Sequence, residues 1–279
     1  MQSVRNALRV LEEVSVLQPV GVSELARRLD LPKSTVQRAL TTLHAAGWLA
    51  VHGRGTGGRW ALAAKPALVG QRSESNRLRL AAEPIMQALR AETHETIHLM
   101  VPEGDEIVLI ERIDGSLPVR TFQRLGTRSP IAATGNGKAM LAHLPQARVE
   151  ALLADGLTRY TAKTITDPEA LRAALALIRE RGYATNRGEV DPDVSSVAAA
   201  IVSTGGLLGS ISISVPTHRL DDAAVARLGP VVAAAAAAIE GALELPDIDA
   251  SPGTAALPTT EPRPMGTPTK ETHGPADRH

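Results

Sequence analysis

Between Pro32 and Gly47 the chain carries an apolar stripe, Val36, Ala39, Leu40 and Leu43, at three- and four-residue steps. That spacing belongs to one buried helix face. Both ends suit a helix of about 15 residues: proline tolerates a first turn, where its missing N–H has no intrahelical partner, and glycine accepts a left-handed stop. Rotation by 100° per residue puts Ser34, Arg38 and Thr41 opposite the stripe, with Thr35, Gln37 and Thr42 on its flanks. No carboxylate stands on this outer face. A solvated helix usually mixes Glu with Lys, whereas hydroxyls, an amide and cations are donors that reach phosphates and base edges.

The flanking segments extend the pattern. From Ser3 to Leu17, Val4, Ala7, Leu8, Val10, Leu11, Val14 and Leu17 describe a second apolar helix face, ended by Pro19 and Gly21. Ser23 is the expected cap of a short helix with Glu24 in its first turn, Leu25, Ala26 and Leu29 on its buried side and Asp30-Leu31 as the turn. After Gly47, Trp48 to Val51 and Arg59 to Leu62 read as a hairpin with a Gly-rich tip flanked by Arg54 and Arg59. Such a two-stranded wing can lie along DNA backbone or enter a minor groove. A phosphate-binding nucleotide loop is the weaker reading of these glycines, because no helix start follows them.

Charge supports a nucleic-acid role for this end alone. The whole chain balances 30 Lys and Arg against 30 Asp and Glu, but residues 1–72 hold ten basic and four acidic side chains, residues 73–245 hold 17 and 21, and residues 246–279 hold three and five. Phosphate neutralisation needs clustered positive charge, not a positive total. The absence of cysteine excludes disulfides, thiolate nucleophiles and Cys-ligated metals, and it suits a cytoplasmic protein. Arg5, Arg9, Glu12 and Glu13 stand where a signal peptide would be apolar, and no uninterrupted run approaches the ~20 apolar residues of a membrane span. The tail from Pro246 is dense in Pro, Thr, Gly and Ser without apolar periodicity, which predicts disorder over 246–279.

Beyond the hairpin, residues 65–91 are expected to form a linker helix, kinked or divided at Pro84. Glu95 to Val101 and Glu106 to Ile113 read as strands around a Pro102 to Asp105 turn. His94-Glu95-Thr96-Ile97-His98 satisfies the H-E-x-x-H pattern of zinc hydrolases. That motif needs a helix, where residues four apart lie within about 6 Å; in a strand they are roughly 13 Å apart, too far for one ion. Thr93, Thr96, Ile97 and Val101 favour a strand, so surface or core histidines are the expectation, and neither catalytic nor metal-ligating residues are assigned.

Gly126 to Leu141 runs from a loop into a helix without being a Walker loop; its glycines either leave backbone N–H groups free for an anion or merely allow close packing. Gly182 to Val190, Ser196 to Ser203 and Leu207 to Val215 read as strands, and Asp221 to Leu243 as an Ala-rich helix. In the last strand Ser210, Ser212 and Ser214 alternate with Ile211, Ile213 and Val215, so the three hydroxyls share one face. Such a row lines a polar pocket or faces water, and water is the commoner case. The class expected is α+β, an antiparallel sheet with helices packed about it, and it suits a binding module better than an enzyme.

Two stretches, Glu24 to Leu49 with its Leu-Pro-Lys-Ser-Thr-Val core and Ser3 to Leu11 ahead of it, resemble the winged helix-turn-helix of the IclR (isocitrate lyase regulator) family of bacterial transcription factors. The order of Thr93 to Leu99, Gly126 to Leu144, Gly182 to Ala199 and Gly209 to Leu220 is similar to the GAF-like effector-binding domain of that family. The resemblance spans about residues 3–243 and implies a DNA-binding domain over 1–64, the linker helix, and an effector domain over 92–245. It implies operator DNA, a small-molecule effector that is an organic acid or an aromatic compound, a homodimer or dimer of dimers as the acting form, and no cofactor.

Carried over residue by residue, the resemblance puts Lys33, Ser34, Thr35, Gln37 and Arg38 at the DNA, with Gln37 and Arg38 reading bases and Arg54 and Arg59 on the backbone. It puts Gly135, Asn136, Asn186, Val194, Ser196, Ser212 and Ser214 in the effector pocket, which moves the serine row from water towards a cavity. Ala132, Asp193, Ser196 and Ala200 stand where the family often has His, Gly, Cys and Pro. Arg128 and Arg187 are the cations available to an acidic effector, or else solvated arginines. The alternatives are a ligand sensor that does not touch DNA and the zinc hydrolase.

Overall fold

The computed structural model describes residues 2–53 and 58–244. Arg54 and the tail 246–279 therefore lie outside the described residues. The N-terminal helices are α1 (Gln2–Leu17), α2 (Val22–Leu29) and α3 (Lys33–Ala45), followed by the antiparallel hairpin β1 (Leu49–His52) and β2 (Arg59–Leu62). Val10, Val14, Val20, Leu25, Leu40 and Trp60 make one buried cluster among them. Backbone bonds of 2.8 and 2.9 Å between Trp60 and Val20 tie the hairpin to the turn between α1 and α2.

The expected stripe of α3 is the observed one: Val36, Ala39, Leu40 and Leu43 are its buried residues. Three local expectations change. Ser23 is not the cap, because α2 starts two residues earlier than expected, at Val22, with Gly21 at the cap position and no side-chain bond. Val4 and Leu8 on α1 are exposed, 64 % and 52 %, although they belong to the apolar repeat. The linker is two helices, α4 (Lys65–Gly70) and α5 (Glu74–Thr93), and α5 runs through the exposed Pro84 undivided. A proline in the middle of a helix removes one hydrogen bond, and here the packing of Leu78, Ala82, Met86 and Leu89 on the sheet outweighs that loss.

The larger part is built on a six-stranded antiparallel sheet in the order β5-β4-β3-β8-β7-β6. Its strands are β3 (Thr96–Glu103), β4 (Glu106–Ile113), β5 (Arg128–Pro130), β6 (Ala184–Arg187), β7 (Val194–Ser203) and β8 (Gly206–Pro216). Helices α5 and α9 (Asp222–Glu244) cover one face, against Ile97, Leu99, Val197, Ile201, Ile211 and Ile213. By length and composition α9 could cross a bilayer, yet Val225, Leu228, Val232 and Ile239 are buried in this core. The opposite face carries α6 (Gly135–Leu141), α7 (Gln146–Ala154) and α8 (Pro168–Arg181), packed on Met100, Ile107, Leu109 and Ala198. Strand alternation separates the two cores, since β-strand side chains point to opposite faces in turn.

Helix α6 is buried along its whole length. A Cβ on Gly137 would stand 2.0 Å from the Ile131 carbonyl oxygen, so only glycine lets the helix approach that turn. Thr134 caps α6, its Oγ1 accepting from Gly137 N at 3.0 Å.

Candidate nucleic-acid interface and ligand cavity

The outer face of α3 is built as its sequence requires. Lys33, Ser34, Gln37, Arg38, Thr41 and Thr42 are exposed and Thr35 is half-buried. Gln37 Nε2 reaches Thr41 Oγ1 at 3.4 Å, and among the described residues neither Lys33 nor Arg38 is ion-paired. Other arginines nearby are engaged: Arg28 pairs with Glu13, and Arg9 Nη2 donates to Leu29 O at 3.0 Å. Arg59 donates from Nε to Pro19 O at 2.8 Å and stands 3.9 Å from Glu24, so it braces the base of the hairpin while its side chain stays 56 % exposed. The face of α3 thus presents donors and uncompensated positive charge on a rigid rod, a form that fits a major groove.

At one end of the six-stranded sheet lies a cavity of about 250 Å³. Six of the seven expected effector residues line it: Asn136, Asn186, Val194, Ser196, Ser212 and Ser214. Gly135 lies beneath, where a Cβ would stand 2.5 Å from Ser196 Oγ. Four segments, at 135–136, 186, 194–196 and 212–214, therefore meet at one place. The serine row is buried, Ser210 and Ser212 completely and Ser214 to 3 % exposure, because α6 and the connection between β4 and β5 close over that face.

Further lining residues come from outside the expected set. That connection brings Thr121, Phe122 and Gln123 to the cavity, and β3 contributes His98 and Met100. Thr121 Oγ1 donates to Ser214 Oγ at 3.0 Å, Gln123 Nε2 to Ser129 Oγ at 3.3 Å, and Asn136 Nδ2 to Ser210 Oγ at 2.9 Å. Behind the wall, Lys138 pairs with Glu189, both buried, joining α6 to the turn after β6. Burial lowers the Lys138 ammonium and raises the Glu189 carboxyl from their usual ranges, each opposed by the partner's charge.

The H-E-x-x-H segment has no common face. His94 ends α5 at φ +63° and its Nδ1 lies 3.2 Å from Ser116 Oγ; Glu95 takes both Nε and Nη2 of Arg219 at 2.8 Å; His98 is inside strand β3. A helix stop followed by a strand spreads the two imidazoles apart, which overturns the zinc reading. The acidic-effector cations are also engaged elsewhere: Arg128 with Glu103 and Glu106, and Arg187 with Asp222. Neither lines the cavity.

A winged helix-turn-helix with a donor-rich helix, joined to a sheet domain that encloses a polar cavity, defines a ligand-responsive DNA-binding regulator. Comparison with known proteins agrees. The family described as "IclR helix-turn-helix domain" matches residues 3–53, and "Bacterial transcriptional regulator IclR C-terminal" matches residues 71–241. The chain belongs to the IclR family of bacterial transcriptional regulators, and its α+β architecture is that of the family. It is similar to the HTH-type transcriptional regulator BhcR of Paracoccus denitrificans, 33 % identical over 241 residues and covering 85 % of each chain. It is 34 % identical to the transcriptional repressor IclR of Escherichia coli over 242 residues, 85 % of this chain and 88 % of that one. Among solved structures, an IclR homologue from Microbacterium hydrocarbonoxydans complexed with 4-hydroxybenzoate superposes with a TM-score of 0.71 at 29 % identity, covering 86 % of this chain and 98 % of that one.

Proposed function

We propose that this regulator reads operator DNA with α3, Gln37 and Arg38 contacting base edges and Lys33, Ser34 and Thr35 contacting phosphates. The observation that supports this reading most is the exposed, carboxylate-free face of α3. The wing, with Arg54 and Arg59, serves as a secondary backbone contact. The acting form is a homodimer or a dimer of dimers in the bacterial cytoplasm, where two recognition helices meet half-sites about 34 Å apart or a multiple of that distance.

The cavity formed around Asn136, Asn186, Val194, Ser196, Ser212 and Ser214, over Gly135, holds the effector. Effector binding shifts the relative stability of two dimer arrangements that differ in the separation of the α3 helices. The ligand must bind those arrangements unequally, or it shifts nothing. The connection between β4 and β5 suits this role: it lines the cavity, and Arg219 Nη2 holds Val119 O at 2.8 Å while also binding Glu95 at the root of β3. The test is operator binding by wild type and Arg38→Ala, on a palindrome and on an isolated half-site. Arg38→Ala is expected to cost about 1–3 kcal/mol and to relax sequence preference. Equal affinity for half-site and palindrome contradicts the dimeric reading.

A further inference from the structure

His98 on β3 and Ser212 on β8 are direct cross-strand partners on the cavity wall, and they are 6 % and 0 % exposed. Despite that burial, His98 Nε2 and Ser212 Oγ have no hydrogen-bond partner among the described residues. Around them, Thr121 is bonded to Ser214, Gln123 to Ser129 and Asn136 to Ser210. Buried polar atoms are nearly always bonded, so two unpaired ones side by side at a cavity mark where a bound molecule supplies the missing bonds.

The same wall lacks the charge that an anion would need. Among the described residues no Lys or Arg lines the cavity, and its single formally charged lining residue is the carboxylate Asp191. The nearby cations are committed: Lys138 to Glu189, Arg128 to Glu103 and Glu106, and Arg187 to Asp222. Arg112 lies across the strand from His98, stacks over the Phe122 ring at 4.1 Å, pairs with Asp114 at 2.7 Å and donates to Gln123 O. Burial first, then Arg112, hold the His98 imidazole at a pKa of about 4, so it is neutral at pH 7. A carboxylate entering here would exchange its water for hydroxyls, amides and a second carboxylate, and the one adjacent cation, Arg112, is already paired with Asp114.

We propose that the cavity selects an uncharged, hydroxyl-bearing ligand over its carboxylate counterpart, and that His98 Nε2 and Ser212 Oγ are the pair that binds the hydroxyl. A hydroxyl both donates and accepts, which matches a neutral imidazole nitrogen and a serine, each able to take either role. Met100 and Phe122 offer an apolar wall for the carbon skeleton. At about 250 Å³ the cavity lies below the roughly 300–1,000 Å³ of drug-sized sites, so the ligand is a single ring or a short chain. This inference rests on the cavity being the effector site.

The test uses the full chain, as wild type, Ser212→Ala and His98→Leu. Without ligand, removing an unpaired buried hydroxyl should raise the melting temperature of Ser212→Ala by about 2–4 °C; a fall instead would make the hydroxyl structural and overturn the assignment. The probes are two matched pairs, 4-hydroxybenzyl alcohol with 4-hydroxybenzoate and glucitol with gluconate, read by thermal shift and calorimetry. At least one alcohol is expected to bind about tenfold more tightly than its acid, with binding lost in both variants. Tighter binding of the acids, or no shift with any of the four, overturns the proposal. Acids that bind and alter operator affinity would leave the effector reading standing and remove only the charge selection; operator affinity unmoved by a compound that does bind would remove the effector reading itself.

Discussion

The two faces of the six-stranded sheet are made by the same strands and have opposite characters. On β8, Ile211, Ile213 and Val215 join the aliphatic core under α5 and α9, while Ser210, Ser212 and Ser214 turn to the side of α6 and the cavity. On β3, Ile97 and Leu99 face the first core, and Thr96, His98 and Met100 the other side. One face is aliphatic throughout, and the other combines a second apolar core under α6, α7 and α8 with a row of polar groups at the cavity. Aliphatic and polar side chains are divided by a two-residue period in a single sheet.

Leu99→Ala on the aliphatic face should break this division most severely. Leu99 is fully buried, and its truncation is expected to cost about 2–5 kcal/mol by denaturant unfolding, with the cost rising with the cavity left behind. A loss under about 1 kcal/mol would mean that this face is not the stabilising one.

Acid should expose the opposite face. His98 has its pKa lowered to about 4 from 6.5, so between those values the unfolded chain binds a proton that the folded chain refuses. Stability is fully present above about pH 6.5 and falls as the pH drops towards 4, by about 3 kcal/mol from this residue. Unfolding free energies for wild type and His98→Leu across that range check the sign: the variant should lose much of the slope. An unchanged slope would place His98 in water.

The mildest change expected is Ser210→Ala, which removes the 2.9 Å partner of Asn136 Nδ2 and should cost about 1 kcal/mol in unfolding. Its contrast with Ser212→Ala sharpens the comparison within one row of serines. The bonded hydroxyl stabilises the fold and the unbonded one does not, so a melting temperature falling in the first and rising in the second separates scaffold from binding group.

Legibility in the sequence followed the range of the interactions involved. The stripe and outer face of α3 were readable because a helix face is set by neighbours three and four residues away, and Val36, Ala39, Leu40 and Leu43 are buried as the period requires. The alternation in β8 showed that three serines share a face, but not which face, because what covers them is α6 and the β4–β5 connection, more than 70 residues away. Helices α7 and α8 had no assigned position, although Asp167 does cap α8, accepting from Ala170 N at 3.1 Å ahead of Pro168. His98 was legible only as half of a zinc motif. Its position in β3, apart from His94 at the end of α5, follows from the strand-forming residues around it, yet nothing local distinguishes a core histidine from one that lines a cavity. The exposure of Val4 and Leu8 was hidden for the same reason, since periodicity marks an apolar face but not whether the fold covers it.

The most direct measurement is the affinity of the full chain for the intergenic DNA upstream of its own gene against a scrambled duplex, at several salt concentrations. If α3 reads an operator, binding to the upstream DNA is expected to exceed binding to the scrambled duplex by at least a hundredfold, and to weaken steeply as salt rises. Equal affinity for both duplexes, or no binding at low salt, would contradict operator reading by this helix.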